Sequence, residues 1–208
     1  MAKSSQDSAL NNETLKTIYA RHSIRQFETR PVDNDTIRMI LDAANQAPSA
    51  HNQQSWQFIT IREEKKSALS KLVSNRAVDF PKPSSSILRM AARSIASAPV
   101  IIAVKNTGSL IQHGSELFRI DRDQSFDFFR TMEIQSSAAA VENLLLAATS
   151  LGLGSVWLGI LYLIKDDILD FIGEEKGEFM AVVPIGYPKK TAKGPKKKSL
   201  DYVLKDLK

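Results

Sequence analysis

Arg21-His22-Ser23-Ile24-Arg25 places two guanidinium groups and a hydroxyl on alternate residues. Alternate side chains of an extended segment face the same way. Arg21, Ser23 and Arg25 are therefore able to converge on one anion, and forked donors of this kind suit a phosphate. The plain alternative is a solvated basic turn after a helix. A second stretch, Ala47 to Trp56 (APSAHNQQSW), sets small and amide residues close together. Ser49, Asn52 and Gln54 can each donate and accept, which fits the edge of a heterocycle and equally an ordinary polar turn. In a third, Leu151 to Gly159 (LGLGSVWLG), glycines let backbone lie against a flat ring. A helix cap followed by a tight turn accounts for Gly152 and Gly154 and leaves Gly159 unexplained. The fourth is Pro184-Ile185-Gly186-Tyr187-Pro188 with the Lys-rich tail behind it. A Lys run is ordinarily a solvated segment; the functional alternative returns one of these Lys to the anion already met by Arg21.

Other chemistries are excluded or weak. Nothing matches GxxxxGK[ST], and Gly152 to Trp157 fails GxGxxG at its last position and precedes a strand. His22, His51 and His113 are far apart with no HxxxH pair, so no metal site is expected. The chain has no Cys, which excludes disulfides, zinc–thiolate sites and thiol nucleophiles and fits a cytosolic address. The net charge is +5, but it is a property of the tail. Lys189 to Lys208 holds eight Lys and two Asp, while the other 188 residues carry −1. No basic face for nucleic acid is therefore expected on the body. The longest nearly unbroken apolar stretch, Val156 to Ile164, has nine residues, and a membrane span needs roughly 20. Met1 to Asn12 is polar and lacks an apolar core, so no signal peptide is expected there.

The elements that must position these segments follow from periodicity. Met1 to Asn12 is expected to fray and Thr14 to Arg21 to be helical. Asp33 caps a helix with Ile37, Ile40, Leu41 and Ala44 at helical spacing, which Pro48 ends. Trp56 to Ile61 alternates as a strand. Lys65 to Asn75 is a helix, Pro81 to Ser86 a loop and Ile87 to Ser97 a helix. Val100 to Val104 is β-branched and reads as a buried strand. Asn106 to Gln124 has no clean period and reads as a long connection, with room for one short helix. Phe126 to Leu151 carries a stripe of Ile134, Ala138, Val141, Leu145 and Ala148, widened by Leu144 and Leu151, and is expected to be central. Gly152 is its expected C′ glycine. Ser155 to Leu158 is a short strand, Lys165 to Ile172 a helix closed by Gly173, and Phe179 to Pro184 the last strand. This pattern, over 208 residues at 43% hydrophobic and 25% charged, fits one soluble α+β domain. Within it residues 1–12 are expected to be flexible and 189–208 to form a basic C-terminal extension.

In their order and spacing these segments resemble the FMN-dependent nitroreductase family. The resemblance is carried by RHSIRQF at Arg21–Phe27, APSAHNQQSWQF at Ala47–Phe58 and APVIIAV at Ala98–Val104. It continues with VENLLLAATSLGLGSVWLG at Val141–Gly159 and PIGYP at Pro184–Pro188. The stretch Asn106 to Phe129 shows no match, and the family's substrate-contacting segment lies there.

The resemblance implies a central, mostly antiparallel sheet flanked by helices, and a homodimer whose C-terminal extension is swapped onto the partner. It implies two FMN sites at the interface, with NADH or NADPH as donor. Nitroaromatics, quinones or similar small molecules are the acceptors, reduced by a ping-pong mechanism. Arg21 and Ser23, with His22 between them, would meet the FMN phosphate, and Arg25 the N1/O2 side of the ring. Pro48, Ser49, Ala50, Asn52 and Gln54 would come from the other subunit. Asn75 would touch the pyrimidine edge. Leu158 and Gly159 would pass the ring near N5 by backbone, and Lys197, among Lys196 and Lys198, would return to the phosphate. Flavin N5 does the chemistry, so no catalytic side chain is expected; neither is a metal, a nucleic acid or a membrane. The alternatives are a specialised relative (flavin destruction, dehalogenation or azoline oxidation) and a non-enzymatic polyanion binder using the Lys tail.

Overall fold

Residues 11–118, 121–174, 176–190 and 194–207 are described by the computed structural model. In chain order its elements are α1 (Glu13–Ala20), α2 (Asn34–Asn45), β1 (Trp56–Ile61), α3 (Glu63–Arg76), α4 (Ser84–Ser97) and β2 (Val100–Asn106). They continue with α5 (Ser109–Phe118), α6 (Arg122–Ser150), β3 (Gly154–Ser155), α7 (Lys165–Ile172) and β4 (Glu178–Gly186). The strands pair antiparallel in the order β1-β2-β4-β3. The fold is α+β.

Every residue of β2 is buried, because both faces of this β-branched strand are covered. Ile101 and Ala103 pack with Leu69 and Val73 of α3, Leu88 and Ile95 of α4, and Ile168 of α7. Val100, Ile102 and Val104 face the other way, toward Ile37 and Ile40 of α2 and Val141 and Leu144 of α6. The period of two thus sorts one strand into two cores. A bulge between Val104 and Lys105 lets Phe179 join the same core as Val182, although the two residues are three apart.

Several boundaries differ from the sequence reading. Of the stretch expected to fray, residues 1–10 lie outside the described residues. Asn12 instead caps α1, its side chain accepting the Leu15 N–H at 3.0 Å. Asp33 caps α2 by accepting the Thr36 N–H at 2.7 Å, and these hydrogen bonds hold its carboxyl below the ordinary value. Helix α4 starts at Ser84, inside the expected loop. The region read as a long connection is mostly α5, and α6 begins at Arg122 with Asp121 as its cap. The period of α5 was hidden because Gly114 stands on its apolar line beside Leu110, Leu117 and Phe118. A Cβ there would lie 2.3 Å from the Phe129 ring, so the glycine makes room for α6. In α6, Val141, Leu144, Leu145 and Ala148 are buried as expected, whereas Ile134 and Ala138 are half-buried and Leu151, at the cap, is exposed. Gly152 closes α6 at φ +74°, its N–H donating to Thr149 O and the Leu153 N–H to Ala148 O. Strand β3 has only two residues, because Leu158 already turns to donate its N–H to Val182 O and a 3-10 turn starts at Gly159. No helix among the described residues is long and apolar enough to cross a membrane.

Candidate functional site

Arg21 ends α1 in an extended conformation, φ −60° and ψ 125°, and the chain runs on along the sheet edge. Ser23 bridges Ser155 in parallel, and the Ile24 N–H donates to Ser155 O at 2.9 Å. Further on, Glu28 N–H donates to Tyr187 O and Lys189 N–H to Gln26 O. The segment is thus stapled between β3 and the chain leaving β4. Ile24 and Phe27 pack into the core, while Ser23 and Arg25 stay exposed. Gly154 is required by this packing, since a Cβ on it would lie 2.8 Å from three Ile24 side-chain carbons.

Beside the segment lies a depression made of three adjoining clefts that share Arg25. One of about 540 Å³ is lined by Arg21, His22, Ser23, Arg25 and Lys197. A larger one of about 760 Å³ adds Arg93 and Ser97 of α4 with Lys189 and Lys190. A narrow slot of about 100 Å³ runs between Met90 and Ser94 of α4 and Val156 to Ile160, including Leu158 and Gly159. Among the described residues, the two wider clefts carry cations and no carboxylate in their lining. Arg21 Nε lies 3.4 Å from Glu142, a half-exposed partner that an incoming anion can outcompete. His22 Nδ1 faces Ala20 O at 2.8 Å, so Nδ1 carries the hydrogen. Its Nε2 is buried without a hydrogen-bond partner among the described residues. Gly194 passes so near that a Cβ would lie 2.8 Å from His22 Cβ, and this approach delivers Lys197. Lys198 instead lies 4.6 Å over the Tyr202 ring. The C-terminal extension lines the clefts of its own chain.

The slot suits a flat apolar group. Leu158 has already given its N–H to Val182 O. Gly159 lines the slot, and an added Cβ there would touch nothing within 4 Å. The glycine that local turn geometry left unexplained therefore stands open to the slot.

The remaining expected residues lie elsewhere. Pro48, Ser49 and Ala50 line a separate shallow cleft of about 260 Å³ against Met132, Gln135, Ser136 and Ala139 of α6. Asn52 and Gln54 follow in the same loop, where His51, Asn52 and Gln54 all hold φ near +50°. Ser49 Oγ accepts the Gln54 N–H at 3.0 Å, and the Gln54 amide donates to Asn52 Oδ1 at 3.1 Å. Asn75, exposed near the end of α3, lines none of these clefts, because α4 supplies the wall on that side. Arg93 was missed in the sequence. Its signal was the spacing Met90, Arg93, Ser94, Ser97, one helical face turned away from Leu88, Ala92 and Ile95.

The family model described as Nitroreductase family matches residues 18–187. The chain belongs to the nitroreductase family. A relative from Archaeoglobus fulgidus with the provisional name NADH dehydrogenase/NAD(P)H nitroreductase is 32% identical over 183 residues, covering 85% of this chain and 86% of that protein. One of the same name from Methanothermobacter thermautotrophicus is 31% identical over 181 residues, covering 85% and 78%. Among solved structures, a provisional nitroreductase from Desulfovibrio desulfuricans in complex with FMN superposes with a TM-score of 0.71 at 25% identity. It covers 95% of this nitroreductase-family chain and 98% of its own.

Proposed function

We propose that this nitroreductase-family chain is an FMN-dependent oxidoreductase. It takes reducing equivalents from NADH or NADPH and passes them to a nitroaromatic, a quinone or a similar acceptor. The observation that carries this reading is the convergence of Arg21, Arg25, Arg93 and Lys197 on one depression, without a carboxylate among its described lining residues, that opens into an apolar slot. The donor set fits the cofactor. Cations and the Ser23 hydroxyl suit a phosphate monoester, and Gly159 leaves room for a ring.

When bound, the flavin supplies two-electron hydride chemistry between donor and acceptor. The chain's own residues bind and orient. Arg21, Ser23 and Lys197 hold the phosphate by charge-assisted hydrogen bonds worth on the order of 1.5–3 kcal/mol each. Arg25, with Arg93 beside it, places fixed positive charge at the pyrimidine edge of the ring, where it favours the more electron-rich state. Leu158 and Gly159 present backbone to the ring. Donor and acceptor use the same open face in turn, so ping-pong kinetics are expected.

The loop Pro48–Gln54 serves the site of a second copy in a homodimer. This accounts for its separation from the cation-lined depression in one chain. It also fits the exposed Leu200, Tyr202, Val203 and Leu207 of the extension, each at least 67% exposed. Purified protein is expected to be yellow, to run as a dimer by light scattering, and to bleach with NADH or NADPH. Colourless protein that takes up no added FMN would sink this reading.

A further inference from the structure

Glu133 lies on α6 and is 1% exposed, outside every cleft described above. Its carboxylate accepts the Leu110 N–H at 2.8 Å, and the N–H groups of Gly108 and Ile111 and the Ser55 hydroxyl also turn toward it. A buried carboxylate is costly, and a local side chain already serves the start of α5, where the Thr107 hydroxyl accepts the Ser109 N–H at 3.3 Å. What Glu133 adds is that its donors come from two separate places, the first turn of α5 and the foot of the loop Pro48–Gln54. Ser55 Oγ receives a hydrogen bond from Ser109 at 3.1 Å, and Ser109 Oγ one from Thr107 at 3.0 Å, so the hydroxyls run in one direction toward the carboxylate.

The same helix holds the loop a second time. One turn beyond Glu133, Ser136 Oγ accepts the Ala50 N–H at 3.2 Å. Between these two anchors sit His51, Asn52 and Gln54, three non-glycine residues in the left-handed region. Such backbone persists only where its surroundings over-determine it. At the far end of α5, the Phe118 ring meets His51 edge-on at 5.4 Å. Loop and helix are therefore tied at both ends, and Glu133 is the charged member of the tie.

We infer that Glu133 is a positioning residue for the second half of the flavin site: its carboxylate clamps Ser55 to the start of α5 and so holds the Pro48–Gln54 loop in the shape that meets the cofactor. The inference rests on the reading that this loop contacts flavin. Glu133 touches neither cofactor nor acceptor.

The test compares full-length wild type with Ser55→Ala and Glu133→Gln. Ser55→Ala removes the hydroxyl that joins the foot of the loop to Glu133 and to Ser109, and leaves the Leu110 N–H on the carboxylate; Glu133→Gln keeps shape and one acceptor oxygen but removes the charge. Amide exchange is followed in flavin-stripped protein, and FMN affinity, visible circular dichroism of bound flavin and melting temperature in loaded protein. Ser55→Ala is expected to speed exchange in Ser49–Gln54 by about tenfold, with a smaller change in α5, whose Leu110 N–H keeps its carboxylate acceptor. It is expected to weaken FMN by about fivefold and to alter the flavin dichroism, with little change in melting temperature. Glu133→Gln is expected to speed exchange in both the loop and α5, with the same changes in affinity and dichroism. Variants that exchange, bind and absorb like wild type overturn the clamp. So does a fall in melting temperature with affinity and dichroism intact, which marks a purely structural role. Wild type that takes up no FMN overturns the flavin reading itself, and with it the role given to Glu133, whatever the variants do.

Discussion

The segment Arg21–Arg25 runs in extended backbone between Ser155 and the chain after β4, whereas the loop Pro48–Gln54 holds three non-glycine residues near φ +50°. The first is held by sheet-edge hydrogen bonds and by Ile24 and Phe27 in the core, at no conformational cost. The second is held in costly backbone by side chains of α6, including the clamp proposed at Glu133. A phosphate needs charge within reach and tolerates some play. A ring needs neighbours fixed to a fraction of an ångström, which is where strained backbone is worth its cost. The contrast predicts that the cation segment governs how tightly cofactor is held, and the loop how precisely.

Arg21→Ala is the most direct way to break this contrast. It is expected to raise the FMN dissociation constant about 10- to 100-fold, measured by flavin fluorescence. Melting of the apo-protein should change little, because the pair with the half-exposed Glu142, at 3.4 Å, contributes little. Asn52→Ala in the loop is expected to cost clearly less affinity. The reverse ranking would refute the division of labour.

Which parts were legible in the sequence follows from what each signal is made of. Strand β1, helix α7 and the Gly152 and Gly173 caps depend on local periodicity and turn chemistry, and they stand where the residues put them. Helix α5 was hidden because its central contact is a glycine against Phe129, a long-range fit that looks locally like a break. Alternation in Arg21–Arg25 showed which side chains share a face, but not that α4 would bring Arg93 opposite them. For Glu133 the sequence shows only a carboxylate at the edge of an apolar stripe. Its donors lie 23 residues away at Leu110 and farther still at Ser55. Such contacts are set by tertiary packing, and periodicity in one segment does not contain them.

Gly154→Ala sharpens the contrast from the sheet side. The added methyl would overlap Ile24, whose neighbours Ser23 and Arg25 face the depression. Overpacking of this kind costs about 1–3 kcal/mol. Thermal melting should fall accordingly, and FMN affinity should fall with it, because the staple and the cations are one segment. A stability loss with affinity untouched would show that the segment moves independently of its cations.

Lys197→Ala tests the extension with a smaller expected effect, about fivefold in FMN affinity, since a flexible tail lysine contributes less than a fixed guanidinium. Lys198→Ala, whose ammonium lies 4.6 Å over the Tyr202 ring, should leave affinity unchanged. Equal losses from both would mean that the tail acts through its net charge rather than through one placed residue.

The smallest effect, and the one most specific to the loop side, lies in the pH dependence of stability. Burial is the largest influence on Glu133 and pushes its carboxyl above the ordinary 4.5, against the lowering effect of the hydrogen bonds from Leu110 and Ser55. A carboxyl whose value is higher in the folded state than in the unfolded chain binds its proton more readily when folded. Its favourable contribution is complete below the ordinary value and is lost as pH rises through the raised one. Wild type should therefore lose stability relative to Glu133→Gln as pH climbs through that interval, and the difference should level off above it. Urea denaturation of both proteins across the acid-to-neutral range measures this directly. A difference that stays flat with pH would mean that the donors around the carboxylate fully offset its burial, and that the loop is held without an electrostatic cost.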